Sequence, residues 1–151
     1  MNRSDVVNGD SNYMRLSSQK IVLLLVRVGL FGYWIALIVG THMPGDGLSP
    51  TELPHDKMLH FTAYFMLAAL SFLWVSLEGW TIRKAALTLL PVLILHGVLD
   101  ELTQSPIPSR YADIRDWAAD CLGAAVGLVV AATLALCWQA IWTQRTRVEK
   151  A

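Results

Sequence analysis

Long apolar runs separated by short polar segments dominate the chain. Residues 21–40 form an apolar run whose one charged side chain is Arg27, and three more spans are predicted at 57–77, 85–104 and 117–142, the third of which has its apolar run at 85–99. A helix of about 20 residues, rising 1.5 Å per residue, crosses the roughly 30 Å hydrocarbon core of a bilayer. The pattern therefore predicts four membrane-spanning helices.

The third and fourth runs show how each helix meets the membrane surface. The third run contains Pro91, and its helix has to continue past Asp100 and Glu101 to reach a full span. Those two carboxylates are then predicted to lie near the lipid head groups. The fourth run is the longest, and Trp117 and Trp142 at its ends suit the two membrane interfaces.

Polar segments flank this apolar region. Residues 1–20 mix charges with Asn, Ser and Gly and show no periodicity, which predicts a disordered tail, while 143–151 is predicted to be a basic tail. The first run is longer than the apolar part of a signal peptide, and no A-x-A cleavage site follows it, so we expect it to remain attached. The sequence thus predicts one all-α domain over 21–142, a four-helix transmembrane bundle.

Composition supports a bilayer environment and excludes one class of partner. Hydrophobic residues make up 54% of the chain, charged residues 16%, and the mean hydropathy is +0.45, which is too apolar for a soluble domain of this size. A formal net charge of zero gives no general attraction to nucleic acid. Cys121 and Cys137 lie about 24 Å apart along one helix, so they cannot pair with each other.

The distribution of Lys and Arg predicts the orientation of the bundle. These residues concentrate in the two terminal segments and in the connector between the second and third runs, whereas the other two loops hold only Lys57, Arg110 and Arg115. Short loops rich in Lys and Arg stay in the cytoplasm, so both termini are predicted to be cytoplasmic in a multi-pass protein of the inner (plasma) membrane. Arg27, about 10 Å along the helix from Lys20, is expected to reach the cytoplasmic head groups; a functional role for it stays open.

Ionisable side chains gather where the second and third helices meet the predicted outer loops. Asp56, His60 and Tyr64 are four residues apart, which places them on one stripe of the second helix, and Asp56 is expected to cap its N-terminus. Glu101 and Gln104, three apart, share a face at the end of the third helix. Because an ionisable group exposed to lipid is costly, these side chains are predicted to face the bundle interior and find partners there.

A second stripe of polar and small residues is predicted on the fourth helix. Its members follow one another at intervals of three or four: Asp113, Asp116, Asp120, Gly123 and Gly127. Glycines spaced G-x-x-x-G allow another helix to approach closely. Asp120 lies about one turn past Trp117, where a carboxylate requires a cation, a proton or a metal. Lys57, His60 and Arg110 are the available partners.

Taken together, these residues resemble the VanZ-like family of bacterial integral membrane proteins. The resemblance covers about residues 30–130 and rests on two separated motifs: Asp56-Lys57 with His60, Phe61 and Tyr64, and Glu101-Leu-Thr-Gln104 with Pro108, Arg110, Asp116, Gly123 and Gly127. Asp120 departs from the asparagine often present in the family, which puts in doubt a role that needs a neutral amide. The resemblance implies a small multi-helix membrane protein, linked through the family's namesake to low-level teicoplanin resistance, and no known reaction.

The leading hypothesis is an outward-facing site that binds or modifies a polar or anionic head group of an envelope lipid or cell-wall precursor. Lys57 and Arg110 are predicted to hold a phosphate or carboxylate, and His60 to exchange a proton. The candidate catalytic residues are His60, Glu101 and Asp116. The candidate substrate-binding residues are Lys57, Arg110, Asp56, Gln104, Tyr64 and Asp120.

Other interpretations of these side chains stay open. They are also compatible with a structural ion-pair network that holds the helices together without catalysis. A divalent metal held by His60, His96, Glu101 and Asp116 is a further alternative, but the spacing matches no established metal motif, so no metal or other cofactor is predicted. Four helices make a thin wall for a transport path, and no serine stands in a G-x-S-x-G setting. The oligomeric state and the question of enzymatic activity are left open by the sequence.

Overall fold

Four helices account for the architecture of the chain. The computed structural model describes residues 3–43, 53–107 and 112–148, and no strand occurs among them. The helices are α1 (Arg3–Thr41), α2 (Leu53–Leu77), α3 (Ile82–Gln104) and α4 (Ile114–Val148). The segments long and apolar enough to cross a membrane are Ser18–Thr41, Asp56–Leu77, Ile82–Gln104 and Ile114–Val148. The predicted all-α bundle of four membrane-spanning helices is confirmed.

The first and last helices extend beyond the predicted spans. α1 begins at Arg3, within the segment for which the sequence predicts a disordered tail, and α4 continues to Val148, inside the predicted basic tail. Residues 3–20 contain one glycine and no proline, so a helix nucleated in the adjoining apolar run can propagate through them. The cytoplasmic location of both tails stays a prediction.

A tight turn joins α2 to α3 and makes them antiparallel neighbours. Gly79 adopts a φ of 84°, a left-handed conformation that favours glycine, and the Trp80 N–H donates to the Val75 carbonyl at 3.0 Å. The Thr81 hydroxyl then caps α3 by accepting from the Lys84 N–H at 3.2 Å. These bonds satisfy several of the backbone groups at both helix ends within a four-residue connector.

α2 and α4 form the closest helix pair because two glycines replace side chains in their interface. A Cβ atom added at Gly123 would lie 2.2 Å from the Phe61 carbonyl oxygen, and one added at Gly127 would lie 2.5 Å from that of Phe65. The backbones therefore touch directly, which confirms the close approach predicted from the G-x-x-x-G spacing.

α1 is the most peripheral helix of the bundle. Leu37 is its one buried hydrophobic side chain among the described residues, whereas Leu24, Leu25 and Val28 are exposed on a surface that lipid would cover. The Tyr33 hydroxyl ties α1 to α2 by donating to the Ala63 carbonyl at 2.9 Å. The rest of the core lies among α2, α3 and α4.

Arg27 of α1 forms an ion pair with Glu78, which follows the last residue of α2. Both side chains are substantially exposed, and Trp74 also donates to Glu78. The hydrogen bond from Arg27 lowers the pKa of the Glu78 carboxyl, and the one from Trp74 adds to this. Arg27 thus lies at the end of the bundle predicted to be cytoplasmic, as expected for a side chain reaching that surface.

Candidate functional site at the polar end of the bundle

Six ionisable side chains from α2, α3 and the start of α4 meet at the end of the bundle where α2 begins and α3 ends. We call this set the polar cluster: Lys57, His60, Glu101, Asp113, Asp116 and Asp120. The predicted topology places this end on the outer face of the membrane. The cluster has an outer layer of paired charges and an inner layer of buried groups.

Lys57 organises the outer layer. Its ammonium nitrogen lies 2.6 Å from Oδ1 of Asp116 and 3.2 Å from Oδ2 of Asp113. Asp113 also caps α4, since its Oδ1 accepts from the Arg115 N–H at 2.8 Å. That backbone hydrogen bond, aided by Lys57 and opposed by partial burial, lowers the pKa of Asp113. Both carboxylates of this layer are therefore satisfied.

The inner layer centres on a buried pair between α2 and α4. Nδ1 of His60 lies 3.0 Å from Oδ1 of Asp120, and the two residues are 6% and 1% exposed. Because a carboxylate only accepts, the shared proton places an N–H on Nδ1 of His60. Asp120 lies about 9 Å along α4 from Ile114, well inside the span. This depth explains why the carboxylate needs a dedicated partner.

Two buried carboxylate oxygens in the inner layer have no hydrogen-bond partner among the described residues. One is Oε1 of Glu101, whose other oxygen accepts from the Asp113 N–H at 2.9 Å, and the second is Oδ2 of Asp120. A Cβ at Gly97 would lie 3.4 Å from that Asp120 oxygen, so the glycine keeps the space beside it open. An unsatisfied buried acceptor costs about 1–3 kcal/mol, so two in one place call for a donor, a proton or a cation.

Three residues of the inner layer come close enough to act on one atom. One imidazole nitrogen of His60 and one carboxylate oxygen from each of Glu101 and Asp120 lie within 4.8 Å of one another. His60 also lies within the same distance of carboxylate oxygens of Asp56 and Asp116. The structure thus brings together candidate residues from three different helices; their catalytic and binding roles stay predictions.

The remaining candidate residues lie around the cluster with specific partners. The Gln104 amide donates to Oδ2 of Asp100 at 3.0 Å. Asp56 lies in the first turn of α2, because the helix begins at Leu53, so the expectation that Asp56 caps the helix is wrong. Arg110 lies outside the described residues, and its predicted role in binding an anion stays a prediction.

Residues 14–136 match the VanZ/LLP1 family. The chain belongs to the VanZ/LLP1 family. The matched region contains the whole polar cluster, and the resemblance read from the sequence is confirmed. Together with the four candidate spans, VanZ/LLP1 membership makes this a multi-pass membrane protein. The comparisons found no match among the curated proteins or the solved structures.

The end of α1 contacts α3 beside the polar cluster in ways that the sequence did not predict. The Thr41 hydroxyl donates to Oδ1 of Asp100 at 3.0 Å, and His42 lies 3.0 Å from the Thr103 hydroxyl. Thr41, the last residue of α1, and His42 after it follow directly on the predicted first span, at the predicted outer end, and that position is the signal for their involvement. Which α3 side chains they meet depends on helix rotation, which hydropathy does not determine.

His96 belongs to a different hydrogen-bond chain. The Trp34 indole N–H donates to its Nε2 at 2.7 Å, and Nδ1 lies 2.7 Å from the Tyr64 hydroxyl. An indole only donates, so Nε2 is the acceptor and the ring proton lies on Nδ1, facing Tyr64. Both nitrogens are occupied, so His96 does not join His60 in the metal set considered from the sequence.

Two clefts adjoin these side chains. The first, of about 360 Å³, opens beside Glu101 and Asp113 and is otherwise lined by apolar side chains that include Ile114 and Trp117. The second, of about 450 Å³, lies between α1, α2 and α3, reaches from Arg27 to His96, and is almost entirely apolar. Both volumes fall in the range of small-molecule pockets.

Proposed function

We propose that this VanZ/LLP1 protein binds, at the outward face of the inner membrane, the polar head group of an envelope lipid or cell-wall precursor. The observation that carries the proposal is the pair of buried acceptors that have no hydrogen-bond partner among the described residues, Oε1 of Glu101 and Oδ2 of Asp120. Hydroxyl or amino groups of a head group are donors of the kind these oxygens lack. A ligand would therefore complete the hydrogen bonding of the inner layer.

The cleft beside Glu101 supports an amphipathic ligand. Its wall combines the carboxylates of Glu101 and Asp113 with apolar side chains from α3 and α4. A polar group entering there has acceptors on one side and an apolar surface on the other. The second cleft, between α1, α2 and α3, offers another apolar surface for an attached lipid chain. It ends at His96, which is hydrogen-bonded to Tyr64.

The charge of each residue in the cluster indicates which part of a head group it would hold. Lys57 is already held by Asp113 and Asp116, so the described part of the cluster is rich in acceptors. Hydroxyl and amino groups would therefore go to Glu101 and Asp120. A phosphate or carboxylate of the same ligand would be held by Arg110, whose fork of donors suits it.

The His60 and Asp120 pair supports modification of the bound group as an extension of this proposal. A histidine oriented by a carboxylate is a common general base, because the acid fixes the tautomer and stabilises the protonated ring. In this role His60 would take a proton from a ligand hydroxyl. Asp116, in the adjoining outer layer, has a carboxylate oxygen within 4.8 Å of His60 and would help to orient the imidazole.

Antibiotic susceptibility of cells tests the proposal. We expect His60→Gln, Glu101→Gln and Arg110→Ala to abolish protection against envelope-directed glycopeptides such as teicoplanin, with membrane abundance unchanged on immunoblots. Glu78→Gln is the matched control, because it makes the same carboxylate-to-amide change at the opposite end of the bundle. Full protection in all three site variants at wild-type abundance would refute the function.

A structural ion-pair network is the second candidate, and the short contact between Lys57 and Asp116 favours it for the outer layer. In that case, removing one partner leaves a charge unpaired and destabilises the fold. The variants would then disappear from the membrane fraction instead of remaining there without activity. The same immunoblots therefore separate the two functions.

A further inference from the structure

We infer that His60, Glu101 and Asp120 form a binding site for one divalent transition-metal ion of the Zn²⁺ or Mn²⁺ type. This goes beyond the proposed function: with the ion bound, a head-group oxygen would contact the ion's open coordination position, whereas without it the head group would donate directly to the two carboxylates. The three side chains come from α2, α3 and α4, so an ion between them would join three helices.

The spacing of the donor atoms fits a metal site. Each residue offers one ligand atom, and the three atoms lie within 4.8 Å of one another. If Nδ1 of His60 is the ligand, the ion takes the place of the proton that Nδ1 shares with Asp120 in the ion-free protein. Ligand atoms about 2.0–2.2 Å from a Zn²⁺ ion lie about 3–3.5 Å apart, a separation reached by small side-chain rotations. All three side chains are more than nine-tenths buried, so they cannot turn away into water.

The unpartnered oxygens are an independent indication of a cation. Among the described residues, Glu101 and Asp120 each leave one buried oxygen without a donor, His60 already pairs with the other Asp120 oxygen, and Lys57 is bound to Asp113 and Asp116. One divalent ion satisfies both oxygens at once. A proton shared between the two carboxyl groups is the competing explanation, and metal titration distinguishes them.

The types of ligand atom limit which metal ions fit the site. One imidazole and two carboxylates form a mixed nitrogen and oxygen set, which suits Zn²⁺ or Mn²⁺ better than Mg²⁺, an ion that prefers oxygen ligands and water. Three protein ligands leave a coordination position for water or for a ligand oxygen. The Asp113 N–H, which donates to the second oxygen of Glu101, would hold that carboxylate in orientation.

A neighbouring set of potential ligands is less suitable. Asp56, His60 and Asp116 also lie within 4.8 Å of one another, but the Lys57 ammonium is 2.6 Å from Asp116. A positive charge at that distance opposes a metal cation. Asp56 therefore serves as a control for the choice between the two sets.

Isothermal titration of the full-length protein in detergent micelles, first stripped with a chelator, tests the inference. With ZnCl₂ or MnCl₂ we expect about one ion per chain for the wild type and weaker binding of MgCl₂. Glu101→Gln and Asp120→Asn should each weaken Zn²⁺ binding at least tenfold. Glu78→Gln and Asp56→Asn should bind as the wild type does.

Circular dichroism shows whether each variant retains its helices. If Asp120→Asn unfolds, X-ray absorption of the zinc-loaded wild type decides: one imidazole nitrogen with oxygen ligands supports the site, and other coordination overturns it. Absence of Zn²⁺ and Mn²⁺ binding by the wild type, or undiminished binding by folded Glu101→Gln, also overturns it. Loss of binding in Asp56→Asn alone would assign the ion to the other set and refute this one.

Failure of the metal site and failure of the head-group function give different results. If the wild type binds no metal while Glu101→Gln loses drug protection, the metal inference fails and the head-group proposal stands. If the wild type binds metal while every site variant keeps full protection, the metal site stands and the proposed function fails.

Discussion

The two ends of the bundle differ in how far their charged side chains are exposed. At the end predicted to be cytoplasmic, Arg27 and Glu78 form one ion pair with both side chains substantially exposed. At the other end, His60 and Asp120 are almost fully buried, and the Asp120 carboxylate is incompletely hydrogen-bonded. A charge at a membrane surface can reach water, whereas one packed between helices depends on its neighbours. The contrast marks the end of the bundle at which the proposed site lies.

The largest expected effect comes from the backbone contact that holds the polar end together. Gly123→Ala places a Cβ 2.2 Å from the Phe61 carbonyl oxygen, so α2 and α4 must separate. We expect a loss of about 1–3 kcal/mol or more, measured by thermal unfolding in detergent. Gly32→Ala is the matched control, since nothing lies within 4 Å of its added Cβ. Equal unfolding temperatures for the two variants would contradict the described interface.

The next effect concerns the outer layer. Lys57→Met leaves Asp116 without its cation, and we expect a loss of about 1–3 kcal/mol, because a mostly buried acceptor then lacks a donor. Lys84→Met, which removes an ammonium lying over the Trp80 ring at the opposite end, should cost less. Adding Asp116→Asn to Lys57→Met should restore part of the stability. A double variant no more stable than Lys57→Met would show that the pair is not the cause.

A smaller, pH-dependent effect is expected at Asp113. Its pKa is lowered in the folded protein, so its stabilising contribution is present at neutral pH and is lost as the pH falls through that lowered value. Asp113→Asn retains a capping side chain but cannot titrate. On acidification, the unfolding temperature of the wild type should therefore fall further than that of the variant. If the unfolding temperatures of the wild type and the variant fell equally with pH, the lowered pKa of Asp113 would be contradicted.

The smallest effect is expected at the exposed ion pair. Arg27→Met and Glu78→Gln should leave the unfolding temperature nearly unchanged, because solvent and salt screen a pair at a surface. Thermal unfolding in detergent, followed by circular dichroism, provides the measurement. A loss as large as that of Lys57→Met would remove the distinction between the two ends.

The fold and the general location of the polar cluster follow from the sequence for physical reasons. A bilayer imposes a length and an apolar composition on each span, so four spans can be identified without tertiary information. The same medium makes ionisable groups such as His60 and Asp120 face inward, and the glycine spacing identifies the face of α4 that packs on α2.

The individual pairings could not be predicted in this way. Lys57, His60 and Arg110 were equally available to Asp120, and the choice of His60 depends on the rotation and depth of α2 relative to α4. The same limit applies to Thr41 of α1, whose bond to Asp100 depends on how the first helix leans on the third. Gly97 gave no spacing signal, because its significance lies in the space it leaves beside Asp120.

The contact of Gly123 with the Phe61 carbonyl has a consequence for the accuracy of the site. Peptide groups have no rotamers, so the separation of the two helix axes is fixed by parts that cannot rearrange. His60 precedes Phe61 by one residue and Asp120 precedes Gly123 by three, so both side chains lie within one helical turn of this backbone contact. We therefore expect a change in bilayer thickness to tilt the two helices together, with little change in the distance between the His60 imidazole and the Asp120 carboxylate.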